Sequence, residues 1–98
     1  MIKTYEKYLT NKNKPDYIKF SIGDYVKRKP WGIKAKYDNN IYQITHIYES
    51  DIIVYKNTDI RYIKYNLKNM TGSNDKIEWE QSLELLSETE LDAFKFNL

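Results

Sequence analysis

The chain has 98 residues, room for one domain with a single core, and 15% of them are aromatic, ten being tyrosines. It holds no cysteine, which excludes disulfides and thiolate metal sites, and no apolar run near the roughly 18 residues that cross a bilayer, so a cytoplasmic protein without membrane contact is expected. The net charge of +2 hides a division, because residues 1–37 carry ten lysines and arginines against three carboxylates while residues 38–98 carry six against eleven. Either the two halves complement each other across the folded surface, or they form one basic and one acidic functional face. The favoured residues are lysine, isoleucine, tyrosine and asparagine, all with AT-rich codons, which points to a low-GC bacterium or its phages.

In chain order, Ile2, Tyr5, Tyr8 and Leu9 fall at helical spacing and predict a short helix over 2–10. "TNKNKP" ends it, because a proline disfavours a helical residue before it and asparagines suit a turn. "DYIKF" is a short candidate strand. Gly23-Asp24 turns the chain into "YVKRK", with Tyr25, Lys27 and Lys29 on one face and Val26 and Arg28 on the other. "KYDNN" is a turn signal, and "IYQITHIYESDIIVY" reads as a hairpin around Glu49-Ser50-Asp51. "DIRYIKYNL" is a further strand, with Arg61, Ile63, Tyr65 and Leu67 opposite Ile60, Tyr62 and Lys64. "KNMTGSND" is a polar loop, and "KIEWEQSLELL" reads as extended with a possible interruption. Ser87 and Glu90 form a capping box for a helix at 88–96, on which Phe94 and Phe96 would close one end of the sheet.

From Phe20 to Leu86, the phrases "FSIGDYVKRK", "IYQITHIYESDIIVY" and "SLELLSE" resemble a small SH3-like barrel of the KOW-related kind. The resemblance implies a mainly β, β-rich α+β fold: a barrel of about five strands over 20–86, with short N- and C-terminal helices, in one domain spanning 1–98. It also implies a binding module, since such barrels serve RNA, DNA, peptides and proteins.

Catalysis finds little to stand on. The one histidine, His46, sits within a strand, and neither a catalytic triad nor a metal or phosphate-binding motif can be written. A toxin-like endoribonuclease of this fold would need a basic residue over a phosphate groove, for which Arg28 or Arg61 could be cast. No cofactor or metal is expected.

Binding surfaces are easier to find. Lys27, Arg28, Lys29, Lys34 and Lys36, with Lys12, Lys14 and Lys19, can line a basic face. Trp31, Tyr37 and Tyr42 lie near them in sequence and could stack on bases. The acidic stretch from Asp75 to Asp92 offers a second face, with Trp79 between Glu78 and Glu80 as an anchor if it is exposed. The expected function is a non-enzymatic binding module, a phage or mobile-element accessory protein that inhibits a host nucleic-acid-processing or defence machine such as a CRISPR-like ribonucleoprotein. The partner would be a host protein or ribonucleoprotein; direct binding of RNA or DNA through the basic aromatic face is the alternative, and the endoribonuclease a second one.

Overall fold

The computed structural model describes residues 3–29, 39–54 and 58–96, with side chains at 7–29, 39–50 and 62–96. In chain order these residues form β1 (Lys3–Leu9), β2 (Tyr25–Arg28), β3 (Tyr42–Val54), β4 (Thr58–Asn69), β5 (Lys76–Trp79), a 3-10 turn (Glu80–Ser82), β6 (Leu83–Leu85) and α1 (Glu88–Phe96). All the strand pairs are antiparallel, in one sheet of order β5-β4-β3-β2-β6 with β1 added alongside β3. The protein is mainly β with a C-terminal helix.

The β3–β4 hairpin is the frame. Tyr42, Ile44, Ile47, Tyr65 and Leu67 alternate onto its inner face and are buried. Ile44 and Ile47 are three residues apart, so plain alternation would put them on opposite faces. The pairing shifts between Ile44 and His46, making Thr45 the extra residue of a β-bulge that returns Ile47 to the core. Before the bulge β3 pairs with β2, at Gln43 and Tyr42; beyond it, from Ile47 to Ile53, the same edge pairs with β1. One bulge thus lets a single strand serve two partners along one edge.

Two expectations fail here for the same reason. The segment predicted as a helix over 2–10 is strand β1, because seven residues of pairing with β3 outweigh a helical spacing of four apolar side chains. The hairpin expected at Glu49-Ser50-Asp51 is absent, and β3 runs straight through. Glu49 and Ser50 are buried between β1 and β4. Glu49 accepts a hydrogen bond from the Tyr17 hydroxyl and lies 3.6 Å from the Lys7 ammonium. Polar letters that read as a turn are satisfied by groups far away in the chain. "DYIKF" forms no strand either; it is a loop that inserts Ile18 and Phe20 into the core.

The sheet is strongly curled but open. β5 and β6 lie at opposite ends of the strand order, which in a flat sheet would separate them by about 19 Å at about 4.8 Å per strand. The link from Trp79 to Leu83 spans at most about 14 Å even when fully extended. The sheet therefore bends until its edges approach, and Arg28 of β2 meets Glu78 of β5 at 2.8 Å across the gap. Among the described residues no ladder joins β5 to β6, so the expected closed barrel is a curled sheet with a seam. Val26, Leu83, Leu9, Ile18 and Phe20 fill the inside with the β3 and β4 residues.

Local chemistry fixes the connections. Gly23 has φ +97°, and the turn is closed by Asp24, whose carboxylate accepts the Ser21 N–H at 2.9 Å. At the other end Ser87 and Glu90 cap α1 reciprocally, each bond 3.1 Å, as the capping box predicts. Phe94 is buried against Tyr25, ring centroids 5.3 Å apart. Phe96, expected to share that role, is instead 87% exposed.

Candidate macromolecular interface

Because β1, β3, β4 and β5 are adjacent and their register is fixed, the residues that alternate away from the core line up in rows across four strands. One row runs Tyr8, Tyr48, Lys64, Trp79, and the next His46, Asn66, Ile77. Tyr62 lies beside them. The result is an outer face rich in rings where a solvated sheet would carry plain polar groups.

The rings touch one another. Tyr8 and Tyr48 have centroids 4.6 Å apart, and His46 lies 6.5 and 6.4 Å from the two. The Lys64 ammonium stands 5.6 Å above the Tyr48 ring, within cation–π range. Trp79 packs on Tyr62 at 5.2 Å. The Tyr48 hydroxyl accepts a hydrogen bond from Asn66 Nδ2 at 2.8 Å, and its pKa is raised by burial first and then by Tyr8. Even so, Tyr8 is 67% exposed, Ile77 63% and Trp79 42%. Lys64 and Lys68 supply positive charge. The carboxylates of the described side chains on these four strands, Glu49 and Glu78, alternate onto the opposite face.

The basic stretch behaves differently. Lys27 binds both oxygens of Glu90, at 2.9 and 2.8 Å, and lies 3.6 Å from Glu84. This contact with Glu90 raises the Lys27 pKa, and it holds Glu90 at about 2, helped by hydrogen bonds from Ser87. Arg28 is paired with Glu78. The charged halves of the chain thus complement each other where β2 meets β5, β6 and α1. Lys14 donates to the Phe20 carbonyl at 3.4 Å, while Lys12 and Lys19 are exposed. Tyr42 is a correction: it is fully buried in the core, because it precedes the bulge on the inner face of β3, and is not available to a partner. Lys29 follows β2, half-buried. Trp31, Lys34, Lys36 and Tyr37 lie outside the described residues, as does the side chain of Arg61.

On the acidic side, Glu78 and Glu80 are turned into the fold. Glu80 accepts from the Tyr65 hydroxyl at 2.6 Å and from the Lys19 N–H at 3.1 Å. Trp79 alone of that trio faces outward. Tyr8, Tyr48, Tyr62, Lys64 and Ile77 are not candidates for contact in the sequence reading, and His46 enters it only as the one histidine. The available signal was the back of the alternation in β3 and β4, where His, Tyr and Lys recur opposite the core positions.

Among the described residues no cluster of three or more His, Asp or Glu side chains could hold a metal ion, and no helix is long and apolar enough to cross a membrane. Comparison of the chain with protein-family models, with curated proteins and with solved structures finds no match.

Proposed function

We propose that the chain is a non-enzymatic macromolecule-binding module whose contact surface is the outer face of β1, β3, β4 and β5. The observation that carries this reading is the exposure of Tyr8, Ile77 and Trp79 in two adjacent rows of one sheet face, with Tyr48 between them, since exposed aromatic surfaces on small domains mark interaction sites. An SH3-like architecture is part of the proposal. It is supported by a strand order in which β6 lies against β2, as in a small barrel opened along one seam. A phage or mobile-element protein that inhibits a host nucleic-acid or defence machine would use such a face stoichiometrically, by covering a surface its partner needs.

Affinity purification from the native host, with and without nuclease, tests the contact surface. The wild-type chain is expected to retain a partner that the Tyr8→Ala/Trp79→Ala double variant loses. Ile77→Asp, at a strongly exposed position, serves as a second variant with little effect on folding. Equal retention by all three folded proteins would remove the outer face from the reading.

A further inference from the structure

Resting on that reading of the face, we infer that the outer side of β1, β3, β4 and β5 is closed by a second copy of the chain, so that the free protein is a two-fold dimer packed ring face to ring face. The first argument is charge. A two-fold interface sets a patch against itself, so every charge on it meets its own sign, and only a face with little charge to offer can pair in this way. The described carboxylates of these strands, Glu49 and Glu78, alternate onto the opposite side. Lys64 is already engaged within its own chain, its ammonium 5.6 Å from the Tyr48 ring centroid. Lys68 stands at the margin, one residue beyond the stretch of β4 that pairs with β5. What the middle of the face offers a neighbour is rings and Ile77.

The second argument is the set of the rings. Tyr8 stands edge-on to His46, at 74°, and Trp79 is tilted by 57° on Tyr62. One patch therefore presents both ring edges, which are positive, and ring faces, which are negative, and a surface bearing both is complementary to its own copy. The third is area. Tyr8, Ile77 and Trp79 are 67%, 63% and 42% exposed, which at about 200 Å² for a large side chain amounts to about 350 Å². Exposed His46 and half-buried Tyr48 and Tyr62 bring each copy to about 500–600 Å². Two copies would bury about 1,000–1,200 Å², the small end of specific interfaces. The dimer is therefore a weak, exchanging one with a micromolar dissociation constant, and a host partner has only to displace one copy to reach the face.

Sedimentation of the full chain from micromolar to millimolar concentration tests this. A reversible passage from monomer to dimer is expected, with concentration-dependent NMR shifts confined to Tyr8, His46, Tyr48, Trp79 and their neighbours on the face. Ile77→Asp, which brings two carboxylates into the interface, should leave a monomer at every concentration, with the circular dichroism of the folded chain. Tyr8→Ala should raise the dissociation constant about tenfold, because each substitution is made twice in a two-fold interface, and Tyr8→Phe, which keeps the ring, should leave it unchanged. A monomer at millimolar concentration, or a dimer indifferent to both Ile77→Asp and Tyr8→Ala, would overturn the inference. If the chain is monomeric while the Tyr8→Ala/Trp79→Ala variant loses a partner in purification, the inference falls, and the contact surface stands with another macromolecule as its occupant. If the dimer depends on the face while purification does not respond to the variants, the inference stands and the host-binding reading falls.

Discussion

At the residue scale, Tyr65 shows how this core accommodates its polar rings. The ring is fully buried edge-on to Phe20, and the hydroxyl donates to Glu80 while accepting the Phe20 N–H at 3.3 Å. Burial, then the Glu80 carboxylate, pushes its pKa far above the ordinary tyrosine range, so the group stays a donor. Tyr65→Phe keeps the ring but strands Glu80 and the Phe20 N–H. The expected cost is about 1–3 kcal/mol, read as a lower urea midpoint with an unchanged m-value. Glu80 is a carboxylate whose role sequence could not supply. Beside Trp79 it reads as part of an acidic surface, and only the 3-10 turn brings it to a hydroxyl fifteen positions earlier.

At the scale of elements, what could be read in advance was local. β2, β4, the polar loop, the interrupted final strand and α1 each follow from alternation or from a cap, which need only neighbours in sequence. β1 and the straight run of β3 depended on Tyr17, Lys7 and each other, and stayed hidden. The outer face was hidden more deeply, since no one strand contains it; of its members only Trp79 stood out, by residue type. α1 offers a pH test. Glu90 is ordinarily protonated near 4.5 but is held at about 2, so its contribution is complete above about pH 4.5 and is lost as the pH falls through about 2. Protection factors of the α1 amides, which take out the intrinsic pH dependence of exchange, are therefore expected to fall between about pH 5 and pH 2, and Glu90→Gln to remove this part of the profile. Ser87→Ala should destabilise the helix by about 1 kcal/mol at neutral pH, through the lost cap.

At the scale of the whole molecule, the Arg28–Glu78 pair ties β2, the neighbour of the end strand β6, to the opposite end strand β5. Arg28→Glu is expected to lower stability, and Glu78→Arg in the same chain to recover part of the loss. A coupling of roughly 1 kcal/mol in a double-mutant cycle is expected for a pair that is still partly solvated. Charge reversal at Lys27, Arg28 and Lys29 would therefore unsettle the fold, and lost binding in such a variant would not identify a contact site. The seam also orders events in time. Strand β2 pairs with β3 only at Tyr25 and Val26 and with β6 from Val26 to Arg28, so Lys27 and Arg28 wait for Glu84 and Leu83. On a ribosome the long β3–β4 hairpin can form as it emerges, whereas β2, made earlier, stays half-paired until β6 has been released. Strand β6, made long after β2, is the one that locks it in place, and this distant pairing is the slow, entropically costly part of assembly.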